Sequence, residues 1–276
     1  MIKNKLSKKD YNKIKLFSNN LAQHSCKIIS IANTSHIGSV LSIRDILSVL
    51  FLKFLKYDKK KSKFNNSFIL SKGHAGAGVY TSLFLKGLIS QKELYGYCSN
   101  GSKLFGHITK NNRFGIEFST GSLGHGLPFA TGLALSDKLK RKNNKIYVLM
   151  SDGEWGEGSN WEALLFASHH KLNNLCIIID YNNLQSLTTV DETLGLQPFK
   201  NKFESFGFKC IEIDGHSLND LYASLSIKIT KKPIVIICNT IKGKGVSFME
   251  NKVLWHYRSP NEKELLLALK ELKNER

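Results

Sequence analysis

The feature that most limits what this chain can fold into lies near its middle, where residues 146–150 and 175–179 are short, wholly apolar runs separated by a helix-length segment at 160–171. Runs of five apolar residues are too brief for a buried helix. With no polar residue alternating along them, they read as strands covered on both faces. Strand, helix and strand in that order make two parallel neighbours joined by a right-handed crossover. The pattern recurs. Residues 68–70, 210–213 and 234–238 give further strands, and apolar spacing predicts helices over 11–32, 43–55, 76–86, 91–97, 126–140, 199–206, 217–229 and 261–273. Ser42 is placed to cap the second helix with Asp45 in its first turn, and Pro260 suits the first turn of the last. The expectation is one doubly wound, mostly parallel α/β domain flanked by helices over residues 1–276, with residues 257–276 as a C-terminal helical tail.

Composition narrows the setting. With 42% hydrophobic residues the chain is an ordinary globular one, and no apolar run approaches the ~18 residues that cross a bilayer. The N-terminus carries charges but no apolar core followed by a cleavage site, so no secretory signal is expected. Five cysteines are scattered without a C-x-x-C pair, and Cys176, Cys210 and Cys238 fall in apolar runs. They read as reduced thiols in a cytoplasmic protein. The net charge of +18 could suit a nucleic-acid binder, but the lysines are spread along the chain and their densest cluster, Lys59 to Lys63, reads as a solvated loop. Neither nucleic acid nor membrane is expected as a partner.

Ligands of such sheets bind beyond the carboxyl ends of the strands. Two strands end there in suggestive ways: Met150 runs into Ser151-Asp152-Gly153-Glu154, and Ile179 into Asp180-Tyr181-Asn182-Asn183-Leu184. Alone, each is an ordinary turn. Asp152 and Asn182 are thirty residues apart, however, the length of one turn–helix–strand unit, which brings both to the same sheet edge. A carboxylate, an amide oxygen and a nearby carbonyl are the hard donors Mg²⁺ takes, with phosphate oxygens and water completing an octahedron. Gly153 would let backbone approach a diphosphate, and the helix beginning near Asn160 could turn its positive end to the same anion.

These segments, with others in order, resemble the amino-terminal half of transketolases, members of the thiamine-diphosphate-binding fold. The series runs from Ser35-His36-Ile37-Gly38-Ser39 through Ser71-Lys72-Gly73-His74-Ala75, Phe105-Gly106-His107 and Ile116 to Gly124, past the Asp152 and Asn182 segments, to Lys242-Gly243-Lys244-Gly245 and Trp255-His256. The resemblance implies that Asp152, Asn182 and the Leu184 carbonyl ligate Mg²⁺, with Ca²⁺ or Mn²⁺ able to substitute. It implies that Gly153, His74 and His256 contact the diphosphate of thiamine diphosphate and that Gly121, Ser122 and Leu123 form a loop against the cofactor. His36, His107 and His256 would serve the donor sugar catalytically. His24, His125, His169, His170 and His216 are left as ordinary histidines. The sequence departs from the family where Ser151 replaces a glycine, Ile37 and Ser122 replace prolines, and Tyr257-Arg258 follows His256 in place of a glycine.

In that family a second, pyrimidine-binding domain supplies a glutamate to the cofactor. The resemblance therefore implies a split transketolase: a C-terminal partner subunit, in a two-plus-two assembly, with Glu157 meeting the partner's glutamate as a catalytic and cofactor-side group. The implied activity is transfer of a two-carbon ketol unit from a ketose phosphate to an aldose, with sugar phosphates as substrates. The alternatives are a 1-deoxyxylulose-phosphate-synthase-like condensation and a non-catalytic cofactor-binding or assembly subunit.

Overall fold

The apolar runs do pair. A computed structural model describes residues 5–228 and 232–274. Helix α1 (Lys8–Ile31) opens them, capped by the Ser7 side chain. The predicted second helix is broken into α2 (Ile37–Ser42), α3 (Arg44–Val49) and a wider turn, Leu50–Phe54. Ser42 is no cap: its hydroxyl donates to the Asp180 carboxylate at the end of a strand. Its preference for capping yields to a buried acceptor that has no access to water. The lysine cluster sits in the turn of a small hairpin, β1 (Tyr57–Asp58) with β2 (Lys63–Phe64).

Strand β3 (Ser67–Leu70) leads through a tight turn into α4 (Gly76–Leu85), and α5 (Gln91–Tyr95) follows under a capping box made by Ser90 and Glu93. Then come α6 (Gly126–Leu139), β4 (Ile146–Ser151), α7 (Gly158–His169), β5 (Leu175–Tyr181), α8 (Val190–Leu194) and α9 (Phe199–Ser205). The described chain ends with β6 (Lys209–Asp214), α10 (Leu218–Leu225), β7 (Ile234–Asn239) and α11 (Glu262–Asn274). Helix α10 stops before residue 229, the predicted end, which lies outside the described residues, as do 275 and 276 of the tail. Pro260 precedes α11, whose first turn is instead closed by Asn261 and Glu264 bonding each other's backbone N–H.

The five-stranded sheet has the order β3-β4-β5-β7-β6, with each neighbouring pair parallel. Successive side chains alternate between two cores. Tyr147, Leu149, Cys176, Ile178, Ile236 and Cys238 join α1 to α4, α10 and α11 on one face. Ile146, Val148, Met150, Ile177, Ile179, Val235 and Ile237 join α6, α7 and α9 on the other. That is why the strands carry no polar alternation: both faces are dry, and each such side chain contributes about 1.5–3 kcal/mol relative to exposure. Edge strand β6, with exposed Lys209 and Glu212, is the exception. Registers pair Ser151 with Asp180, Asp180 with Cys238 and Asp214 with Asn239, so four strands finish level along one edge. Among the described residues no helix is long and apolar enough to cross a membrane.

Candidate functional site

A cavity of about 260 Å³ opens at that carboxyl edge. It is lined by His36, His74, His107, Gly121, Leu123, Asp152, Gly153, Asn182, Leu184 and His256, all singled out from the sequence. Ser39, Lys72, Ser151, Gln185, Ser186 and Lys242 complete the wall.

The floor is electrostatic. Lys72, at the turn after β3, and Asp180, near the end of β5, form a fully buried ion pair. Asp180 also accepts from Ser42, from Thr240 and from the Asn182 amide nitrogen at 3.1 Å. Burial alone would raise the Asp180 pKa, but Lys72 and these donors hold it below the usual carboxylate range. Asp152, 1% exposed, goes the other way, pushed up to about 7 by burial and then by the charge of Asp180. Its two oxygens accept from Gly153 N–H at 2.8 Å and Asn183 N–H at 2.5 Å. The second of these bonds locks the Asp152 and Asn182 segments side by side.

Could a divalent ion sit here? Among the described residues no cluster of three or more His, Cys, Asp or Glu side chains forms a closed metal cage. What the cavity offers is one carboxylate, the Asn182 amide oxygen and the Leu184 carbonyl. The Asn182 amide is oriented by donating through nitrogen to Ser42 and Asp180 and accepting through oxygen from Leu184 N–H at 3.1 Å. The Leu184 carbonyl already attracts a cation, accepting from Lys242 Nζ at 3.1 Å. This is half a hard-oxygen coordination sphere, of the kind that Mg²⁺ completes with phosphate oxygens. The donor set fits. Gly153 fits too: a Cβ there would come within 2.8 Å of the Gln185 side chain, which lies over it.

Four imidazoles face one another across the cavity. His36 lies 5.1, 5.6 and 4.9 Å, ring to ring, from His74, His107 and His256. His36 holds the left-handed conformation (φ 77°) and donates its N–H to the His256 carbonyl at 3.0 Å. A non-glycine residue there is uncommon and costs of order 1 kcal/mol, which the neighbouring structure must impose. Burial, then neighbouring positive groups, depresses His36 to about 4 and His256 to about 3, and takes His74 well below its ordinary value. These three rings are uncharged at neutral pH, and the positive charge comes from the lysines. Lys242, 1% exposed, is lowered to about 8 by burial and by Lys72. Its Nζ donates to the Leu184 and Gln185 carbonyls and to His256 Nδ1 at 3.2 Å. The last bond leaves the His256 proton on Nε2, as a donor.

Two predicted residues stand apart. Ser122 is exposed and does not line the cavity, although Gly121 packs against His107 beside it. Glu157 is exposed at the start of α7, also off the cavity wall. The start of α7 is not aimed at an anion either: Ser159 Oγ donates to the Gly124 carbonyl at 2.6 Å, and none of residues 158–160 lines the cavity. Lys72 and Lys242 lie inside the motifs that carry the resemblance, yet sequence reasoning assigns them no role. The only signal for them is a single lysine beside a glycine just beyond a strand end. Of the histidines left as ordinary, His24 meets Tyr95 Oη at 3.1 Å and His169 stacks on His170, while His216 is tied into a buried network.

Comparison with known proteins follows from this geometry. A family described as "Transketolase, thiamine diphosphate binding domain" matches residues 15–272. One of the two subunits of an apulose-4-phosphate transketolase, from Actinobacillus succinogenes, is 43% identical over 243 residues, covering 87% of this chain and 88% of that one. A 6-deoxy-6-sulfo-D-fructose transketolase subunit of a Clostridium species is 34% identical over 244 residues, covering 87% and 89%. Human transketolase is 33% identical over 242 residues, but these are only 38% of its length. Among solved structures, transketolase from Campylobacter jejuni superposes with a TM-score of 0.88 at 30% identity, over 95% of this chain and 43% of that one.

Proposed function

We propose a function from one premise: the chain belongs to the transketolase family, as its thiamine-diphosphate-binding domain. It is the amino-terminal subunit of a split transketolase, a transferase that moves a two-carbon ketol unit from a ketose phosphate to an aldose. Its activity requires a C-terminal subunit with the pyrimidine-binding domain, in a two-plus-two assembly. Relatives covered to 88% and 89% of their length are themselves named as subunits, which supports the split arrangement. Their names carry sugars bearing a phosphate or a sulfo group, which supports an anionic sugar as substrate. The chain acts as one domain in the cytoplasm, with residues 257–276 as a helical tail, and its lysines form a solvated surface, not a nucleic-acid site.

The observation that carries the reading is the convergence of Asp152, Asn182 and Leu184 with four histidines on one cavity. Asp152, the Asn182 amide oxygen and the Leu184 carbonyl hold Mg²⁺, for which Ca²⁺ or Mn²⁺ can substitute. The metal relieves the burial that presses Asp152 towards protonation. Gly153 brings backbone close to the diphosphate, and His74 and His256 donate to its oxygens. Gly121, Ser122 and Leu123 flank the cofactor. Bound thiamine diphosphate supplies a nucleophilic carbon that opens the carbon–carbon bond beside a ketose carbonyl. His36 and His107 hold the donor sugar's hydroxyls and move protons to and from them, and His256, uncharged with its proton on Nε2, shares that work. Lys72 and Lys242 offset the anion's charge without taking protons from the histidines. Glu157, on the surface, meets the glutamate of the partner subunit. Retention of every one of these groups favours catalysis over a purely structural subunit.

The test is reconstitution. The chain mixed with its partner subunit, Mg²⁺, thiamine diphosphate, a ketose phosphate and an aldose should transfer a two-carbon unit, read by chromatography of the sugars, while neither chain alone does so. No transfer from any pentulose or hexulose phosphate would defeat the proposal. Formation of a 1-deoxy sugar from pyruvate would favour the synthase-like alternative.

A further inference from the structure

Lys242 reaches the cavity from the turn that leaves β7, and each residue of that turn is held by a different partner. Gly215 N–H donates to the Asn239 carbonyl at 2.8 Å, and Thr240 Oγ1 donates to Asp180. The Ile241 N–H donates to His216 Nε2 at 2.9 Å. The next peptide carries Lys242, whose carbonyl accepts from Asn251 N–H at 2.9 Å. The bond from Ile241 therefore sets the direction in which the chain enters Lys242.

His216 lies in the turn after β6, its side chain 12% exposed, and its own N–H donates to Asp214 Oδ1 at 2.8 Å. Its ring is fixed from both ends. An amide N–H can only donate, so Nε2 must accept, and the ring proton stands on Nδ1. Nδ1 faces Asp45 Oδ2 at 2.9 Å. Asp45, buried on α3, accepts from Ser18 Oγ of α1 through its other oxygen at 2.6 Å. Gly215 makes the approach feasible, since a Cβ there would collide with the Thr240 side chain. Ser18, Asp45 and His216 thus form a chain of buried hydrogen bonds from the outer helices to the backbone at Ile241.

We infer that His216, oriented by Asp45 and Ser18, is the positioning residue that aims Lys242 into the anion-binding cavity. It touches no cavity atom and acts through the Ile241 amide. The inference rests on the proposed reading only in naming the anion as a diphosphate; the aiming of Lys242 does not depend on that name.

Two substitutions separate the two ends of the ring. In His216→Gln the amide oxygen reaches as deep as Nε2 and can accept from Ile241, but loses Asp45. In His216→Asn the amide nitrogen reaches only as deep as Nδ1, keeping Asp45 but losing Ile241. His216→Phe removes both. Competitive acetic anhydride labelling of the full-length chain, read at each lysine by mass spectrometry, reports how well Lys242 is sheltered. We expect Lys242 labelling to rise on the order of tenfold in His216→Phe and His216→Asn, the equivalent of about 1.4 kcal/mol for one lost hydrogen bond. His216→Gln should stay near wild type, and Lys72, outside this chain of bonds, should be unchanged in all three. Magnesium pyrophosphate affinity, measured by calorimetry on the same proteins, should fall in the same order. Lys242 labelling that is equal in all variants, or restored by Asn as well as by Gln, overturns the inference. If His216→Phe does not fold, the Gln and Asn pair decides alone. A wild-type chain that does not bind magnesium pyrophosphate defeats the functional reading, and the labelling still judges the role of His216.

Discussion

The floor of the cavity and its rim are built on opposite terms. On the floor Lys72, Asp152, Asp180 and Lys242 are at most 1% exposed, and each is bonded to groups of the same chain. Around the rim Phe105, Leu187, Leu194, Leu254 and Tyr257 are 52%, 80%, 58%, 54% and 56% exposed, beside Ser122 and Glu157 in water. A buried charge must find its partners within the fold, because leaving it unpaired is expensive. An apolar rim costs solubility and is kept where another surface covers it. The difference separates what this chain completes alone, an anion and metal seat, from what it leaves for a second chain.

The contrast breaks most severely at the floor. Lys72→Met strands the Asp180 carboxylate in the core and should cost roughly 3–5 kcal/mol of stability. The lower end is expected, because Ser42, Thr240 and Asn182 still donate to Asp180. Urea unfolding measures it; a loss under ~1 kcal/mol, the scale of exposed pairs, would mean the floor is not dry. Asp152→Ala should leave the fold standing and abolish Mg²⁺-dependent retention of thiamine diphosphate, a loss of at least ~100-fold or about 2.7 kcal/mol. Equilibrium dialysis with and without chelator checks it, and unchanged retention would remove Asp152 from the metal site.

How much of this was legible in the residues follows the same division. The sheet could be read because its strands are dry on both faces, so that IYVLM and LCIII leave no alternative to a central strand. Asp152 and Asn182 could be placed because one crossover unit has a nearly fixed length. The break between α2 and α3 could not be foreseen, since it depends on Ser42 finding Asp180, 138 residues away. The Lys72–Asp180 pair and the link from His216 to Ile241 share that limit: they join distant segments by side chains that carry no local periodicity. Glu157 and Ser122 were identified by resemblance alone, and their exposure here matches a role only another chain can complete.

The rim provides a milder test. Leu187→Asp with Leu194→Glu places charges on two exposed apolar side chains without touching either core. Association with the partner subunit should weaken by about 10–100-fold, roughly 1.4–2.7 kcal/mol, as for interface anchors of moderate weight. Magnesium pyrophosphate binding by the lone chain should not change. Analytical ultracentrifugation of the mixture and calorimetry of the single chain separate the two. Equal association by wild type and variant would place the interface elsewhere.

The smallest effect, and the finest probe of how dry the cavity is, lies in the histidines. His36 is depressed to about 4 and His256 to about 3 from an ordinary value of 6.5, with burial the first cause in each. Below about 6.5 the unfolded chain binds protons at these rings that the folded chain refuses, so stability must fall with decreasing pH from there towards about 4. Above 6.5 both states hold the rings uncharged, and these groups contribute no slope. His36→Asn removes one such group and keeps a residue type that tolerates the left-handed backbone. Its urea midpoint should therefore fall less than that of wild type between pH 7.5 and pH 5. A parallel decline in both would mean that the His36 ring is solvated in the folded chain, and that water, not a shielded anion, is the natural content of that side of the cavity.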